Sequence, residues 1–226
     1  MATISKTQVD RLGERLKTGT PTELDLRLLD SFRRSFAPAY EHVVSTIRKE
    51  VDFEPTGRPA KSTTSIVEKL LRETIRLSQM HDIAGCRLVV ADIKAQDDAV
   101  TRLLHALPET VVMDRRANPS HGYRAVHIVC QVEGQPIEVQ VRTLLQHLWA
   151  ELSEKVSDVV DPAIKYGGGD PGAQSMLAKG SAVIADFERV ERLADDPSVG
   201  DGLIKIKRDL HAALKSGIEE WKTLER

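Results

Sequence analysis

The stretch Ile137-Glu138-Val139-Gln140-Val141-Arg142-Thr143 alternates apolar and polar residues with a period of two. A β-strand sends successive side chains to opposite faces, so the stretch reads as a strand. One face carries Ile137, Val139 and Val141 and suits a core. The other carries Glu138, Gln140 and Arg142, placing a carboxylate, an amide and a guanidinium in one row. Such a row fits a surface that binds something charged. The plainer alternative is ordinary polar decoration of a surface strand.

Working outward, Gly134 marks a short turn, and 125–132 reads as the strand that pairs with 137–143 in a hairpin. Thr110 to Arg116 reads as a third strand and the apolar run Cys86-Arg87-Leu88-Val89-Val90 as a buried one. Helical spacing of apolar residues predicts helices over 97–107 and 145–160. Upstream, 1–19 reads as a polar helical lead-in. Pro21-Thr22 opens a helix towards Val51 that Pro38 should kink or restart. Ser62 or Thr63 caps a further helix whose apolar face is Ile66, Leu70 and Leu71. Pro162, Pro171 and Gly167-Gly168-Gly169 mark 161–175 as a loop or lid, and two helical stretches, about 176–195 and 201–224, close the chain. The expected organisation is a helical extension over 1–52, a core over 53–160, the loop at 161–175 and a second helical extension over 176–226.

Composition bounds the function. The chain has 226 residues, 41% of them hydrophobic, and a formal net charge of −2. It can bury a core, and a nucleic-acid partner would need a local basic patch. Aromatic residues make up only 4%, so aliphatic side chains must fill that core. Cys86 and Cys130 lie in apolar strand-like runs and read as small core residues in a reducing compartment. No apolar run approaches the roughly 20 residues that span a bilayer, and no secretory signal is visible. A cytoplasmic protein without membrane partners is expected.

Three constellations carry chemistry. Arg58, Lys61, Ser65, Lys69, Arg72 and Arg76 form a basic run, and helix spacing puts Ser65, Lys69, Arg72 and Arg76 on one stripe. With the positive end of a helix beside it, this run suits polyphosphate; a solvated helix face is the alternative. Asp82 lies just ahead of a buried strand and Glu138 on another. Two carboxylates converging from neighbouring strands can hold Mg²⁺ against phosphate oxygens, although an aspartate before a strand also caps turns. His81-Asp82 is set aside as a metal-hydrolase signature, because no second histidine cluster accompanies it. Gly122-Tyr123-Arg124-Ala125-Val126-His127 enters a strand from a turn, where a tyrosine can stack on a base or fill a core. Trp149, on the following helix, reads as packing.

Taken together, Arg58…Lys61…Ser65…Lys69…Arg72, Asp82-Ile83-Ala84-Gly85-Cys86-Arg87, Gly122-Tyr123-Arg124…His127, Glu138-Val139-Gln140-Val141-Arg142-Thr143 and Trp149-Ala150 resemble, in order, the synthetase domain of the RelA/SpoT family of (p)ppGpp synthetases. The resemblance implies an α+β fold: a mixed five-stranded, nucleotidyltransferase-like sheet with flanking helices and helical N- and C-terminal extensions. It implies transfer of the β,γ-pyrophosphate of ATP to a ribose 3′-OH of GTP or GDP. Asp82 and Glu138 would bind Mg²⁺, with Glu138 activating the 3′-OH. Arg58 and Arg87 would sandwich the adenine, and Lys61, Ser65 and Arg72 would hold ATP phosphates. Tyr123 would stack on the acceptor's base, with His127 and Gln140 positioning ribose and phosphate. The chain looks like a small stand-alone synthetase, and small members of the family are often homo-oligomers.

The chain departs from the family pattern in three places. Two residues, Pro59-Ala60, separate Arg58 from Lys61 where one is common. Ser120-His121 stands before Gly122 where the family carries Lys and Asn for the guanine nucleotide. The helix after Trp149-Ala150 lacks the family's His and Tyr-Lys; Lys165-Tyr166 follow later. The donor side therefore matches better than the acceptor side. Arg115, Arg116 and Arg124 could replace the missing lysine on a nucleotide's phosphates, or contact an RNA backbone. The alternatives kept are a toxin-type relative acting on the tRNA 3′ end or an adenine nucleotide, and an inactive nucleotide-binding module.

Overall fold

The computed structural model describes residues 4–194 and 197–224. Among them, α1 (Lys6–Thr18), α2 (Glu23–Arg34) and α3 (Ala37–Thr46) precede β1 (Thr56–Arg58) and α4 (Thr63–Arg72). Then come β2 (Ala84–Val90), α5 (Ile93–Ala106), β3 (Val111–Asp114), β4 (Val126–Val132), β5 (Gln135–Thr143) and α6 (Leu144–Val160). The chain closes with α7 (Pro171–Leu193) and α8 (Pro197–Leu224). The strands form one mixed sheet in the order β1-β2-β5-β4-β3, the expected α+β class.

The ends of the elements follow from capping chemistry. Ser5, Thr22, Ser62 and Thr143 each accept a backbone N–H of the helix they open. Pro38 does restart the second helix: α2 ends at Arg34 and α3 takes Pro38 into its first turn, where a missing N–H is harmless. Glu133 and Gly134 both have positive φ, 51° and 75°, as a two-residue turn matching strand twist requires, and so join β4 to β5.

Several boundaries differ from the sequence expectation; α5, for one, begins at Ile93 rather than Asp97. Thr56–Arg58, not expected as a strand, is the edge strand β1, antiparallel to β2 with Arg58 opposite Gly85. Arg76 is not on the α4 stripe, because the helix stops at Arg72 and Glu73 is extended. The chain leaves the helix there to bury Leu77 against α1, where Gly13 has no side chain to obstruct it. Strand β3 stops at Asp114, whose carboxylate turns back to accept from the Arg116 backbone N–H at 2.9 Å. Helix α7 begins at Pro171, inside the stretch read as loop, because the Asp170 carboxylate caps Ala173 N–H at 2.7 Å.

By its contacts the chain divides into two compact units. The first comprises Met1–Leu88, Arg102–Val112 and Ile128–Gln140. Its core holds Leu12, Leu29, Phe36, Ile47, Ile66 and Leu77, all but fully buried. Cys86 and Cys130 are buried free thiols here, and burial pushes them up to about 12 and about 11. The second unit comprises Val89–Thr101, Met113–His127 and Val141–Arg226. Its core is built from α6, α7 and α8 around Leu145, Trp149, Leu177, Ile184 and Ile218. Trp149 packs as expected, against Gly180, where a Cβ would lie 2.2 Å from the indole ring.

Candidate active-site residues

In the first unit the pleat puts Arg58, Gly85 and Arg87 on one face, because Arg58 lies opposite Gly85, and Arg87 follows two residues on. Gly85 also lies beside Glu138 of the neighbouring strand. A Cβ on Gly85 would sit 2.5 Å from the Glu138 carbonyl oxygen and 3.3 Å from its Cβ. Glu138 therefore shares this face with both arginines, and only glycine lets the strands approach so closely. Ile137, Val139 and Val141 are fully buried, while Glu138 and Gln140 on the opposite face are only partly so, as the alternation implies. Gln140 Nε2 donates to Glu138 Oε2 at 2.8 Å and fixes that carboxylate.

Asp82 sits in the turn before β2 between two ammonium groups. Lys61 Nζ donates to Oδ2 at 2.9 Å and Lys69 Nζ to Oδ1 at 3.0 Å. Burial alone would push the carboxyl up; the charges of Lys69 and Lys61 outweigh it and hold Asp82 down at about 2. Lys61 is itself buried, its backbone N–H tied to the Ile83 carbonyl at 2.7 Å. Arg58 is exposed and donates to the Asp82 carbonyl at 3.3 Å. Ser65 lies in the first turn of α4, its hydroxyl accepting from Ser62 at 2.9 Å. Arg72 ends that helix, exposed, and pairs with Glu73 at 3.1 Å. The basic run thus converges on Asp82 through Lys61 and Lys69. The role of Lys69 as a direct Asp82 partner had no sequence signal beyond its place on the stripe.

Asp82 and Glu138 are carboxylates of the kind that could help hold Mg²⁺. Among the described residues no cluster of three or more metal-ligating side chains occurs. Two carboxylates, one ionised far below neutrality, suit a hard cation that keeps waters and takes phosphate oxygens as its other ligands.

In the second unit Tyr123 is held on two sides. Arg142 Nη2 donates to its hydroxyl at 2.9 Å, and the guanidinium carbon lies 4.9 Å from the ring centre. His127 Nε2 is 2.9 Å from the same hydroxyl. Arg142, the undefined member of the opening row, is buried and belongs to this group. The turn before Tyr123 is tight: His121 and Gly122 have φ of 50° and 84°, and Ser120 and Tyr123 exchange both backbone hydrogen bonds. Arg115 is half-buried, its backbone N–H bonded to Ala125. Arg116 is engaged within the protein, pairing with Asp114 and Asp97, each at 2.6 Å. Lys165 pairs with Asp158 at 2.6 Å.

A family model described as the region found in RelA / SpoT proteins matches residues 57–157, just under half of the chain. The uncharacterized protein Rv1366 of Mycobacterium tuberculosis is 28% identical over 180 residues, 72% of this chain; the chain spans only 62% of that relative's length. GTP pyrophosphokinase YjbM of Bacillus subtilis is 28% identical over 183 residues, 73% of this chain and 79% of the relative. The solved structure of small alarmone synthetase 1 from Bacillus subtilis superposes with a TM-score of 0.51 at 25% identity, over 72% of this chain and 94% of that one. The ordered motifs and the matched region coincide: residues 57–157 are similar to the region found in RelA / SpoT proteins.

Proposed function

We propose that the chain moves the β,γ-pyrophosphate of ATP to the ribose 3′-OH of GDP or GTP, in the cytoplasm where both nucleotides are abundant. The observation that carries this reading is Glu138, fixed by Gln140 and set beside the side-chain-free Gly85 on the face that bears Arg58 and Arg87. A carboxylate so placed can accept the 3′-OH proton as the oxygen attacks the β-phosphorus and AMP departs. Lys61, Lys69, Ser65 and Arg72 hold the ATP phosphates, and Arg58 and Arg87 flank the adenine. Asp82 and Glu138 would hold Mg²⁺, which would supply charge neutralisation for the migrating group. Because that group is densely anionic, positioning and charge stabilisation supply most of the acceleration.

On the acceptor side Tyr123 offers a ring already held by Arg142 and His127, a platform for a base. His127 and Gln140 position ribose and phosphate, with Arg115 facing the acceptor's phosphates. A small nucleotide is favoured over RNA. Of the three arginines in the segment 115–124, Arg116 is neutralised by Asp114 and Asp97, and Arg124 donates to Ser181 and the Arg116 carbonyl. Few cations then remain to follow a phosphate backbone.

The test is to incubate the protein with Mg²⁺ and γ-³²P-ATP and, separately, GDP, GTP, ATP or tRNA. Label is expected in GDP and GTP. Label only in tRNA or ATP would overturn the acceptor assignment, and label in none would overturn the activity. Tyr123→Ala should raise the acceptor KM roughly tenfold or more, the scale of one lost base stack, and leave the ATP KM within about twofold. Equal rises in both would remove Tyr123 from the acceptor side.

A further inference from the structure

Helix α7 lies outside the matched family region, and its buried stripe is mixed. Leu177, Ser181, Ile184 and Glu188 recur at helical spacing and are only 2–4% exposed. Two of the four are polar. A helix that served only as packing would place apolar residues there, because a buried hydroxyl or carboxyl is costly unless bonded. Both are bonded, Ser181 to the segment that carries Tyr123 and Glu188 to the one that follows Arg142.

Ser181 Oγ accepts from Arg124 Nε at 2.9 Å, and Arg124 Nη1 also donates to the Arg116 carbonyl. At the other end of the loop, Arg116 pairs with Asp97 at 2.6 Å, and Asp97 pairs with Arg192 at 3.0 Å. Arg192 is on α7 again, three turns beyond Ser181. Gly122, in the tight turn, backs onto the Leu177 carbonyl, where a Cβ would sit 3.1 Å away. Glu188 accepts from the Thr143 hydroxyl and, at 2.9 Å, from Gln146 Nε2. Thr143 follows Arg142, which holds the Tyr123 hydroxyl. The helix therefore grips both ends of the segment Arg115–Arg124 and the end of the strand that pins its tyrosine.

We infer that α7 is the positioning element for the acceptor loop, and that Ser181 is a positioning residue which fixes Tyr123 through Arg124. Its kinetic consequence rests on the function proposed above; its structural consequence does not. The experiment compares Ser181→Ala and Ser181→Thr with the wild-type chain by hydrogen exchange and by initial rates. In Ser181→Ala, amides of 115–124 should exchange at least tenfold faster, with those of α4 and β2 unchanged. The acceptor KM should rise about tenfold with the ATP KM within twofold, and Ser181→Thr, which keeps the hydroxyl, should recover most of both effects. Unchanged exchange in 115–124, a uniform rise along the chain, or equal rises in both KM values would overturn the inference. Should Ser181→Ala fail to fold, Ser181→Cys takes its place under the same criteria. If the wild-type chain transfers no pyrophosphate, the proposed function falls and the exchange measurement still decides the role of α7.

Discussion

Glu138→Gln is expected to lower the transfer rate at least a thousandfold while leaving ATP binding and folding intact. The substitution keeps size and shape and removes only charge and basicity. The side-chain oxygen that accepts from Gln140 at 2.8 Å in the native protein has a counterpart in the amide, so the local structure should survive. Two contributions disappear together. A positioned general base accounts for about 10²–10⁴ in rate. A proposed cation ligand would also be lost, weakening charge stabilisation of the migrating group. In the proposed mechanism ATP affinity would rest largely on the basic run, so it should change only a few-fold. Single-turnover rates and calorimetric ATP titrations measure the two quantities separately. Turnover within tenfold of wild type would take Glu138 out of the mechanism.

Asp82→Asn is expected to be harmful in two ways. Activity should fall at least a hundredfold, through loss of the proposed cation ligand, and stability should fall as well. Lys61 and Lys69 both donate to this carboxylate, and its side chain is only 15% exposed, so its removal leaves two sheltered ammonium groups facing a neutral amide. The pH dependence gives the second effect a signature. Asp82 is held at about 2 against an ordinary 3.8. A depressed carboxyl contributes stability that is fully present above its unfolded value and is lost as pH falls through the folded one. The wild-type chain should therefore lose about 2 kcal/mol from this group between pH 4 and pH 2. The Asn variant should lack that component, so the gap between the two proteins should close with acidity. Urea unfolding across that range reads it directly. A gap that stays constant would mean that the ammonium groups do not act on Asp82 as the geometry indicates.

What the sequence made legible was local or periodic. The alternation of Ile137–Thr143 placed a strand and its two faces, Ser62 marked a helix start, and Gly134 marked a turn. These features depend on residues within a few positions of one another. The strand Thr56–Arg58 was hidden because three residues beside Pro55 carry no period, and only pairing with β2 makes them a strand. Arg76 was placed on a helix that Leu77 abandons for a pocket on α1, a packing choice invisible in the local pattern. For the candidate site the same division holds. Glu138 and Gln140, two apart on one strand, could be paired by eye. Lys69 with Asp82, Arg142 with Tyr123, and Ser181 with Arg124 are 13, 19 and 57 residues apart, and tertiary packing alone brings them together. Ser181 also lies in a helix whose sequence gives no hint of chemistry.

Cys86 and Cys130, the two cysteines of the chain, are buried and hold their protons to about 12 and about 11. Only a thiolate reacts readily with alkylating or disulfide reagents. At neutral pH both sulfurs should stay silent towards maleimides without any substitution. A cysteine introduced at an exposed position such as Asn118 would then be the one reactive thiol on the folded protein. The native background is thus already suited to single-site fluorophore or spin labelling, and a probe there could follow the loop beside Tyr123 as nucleotides bind.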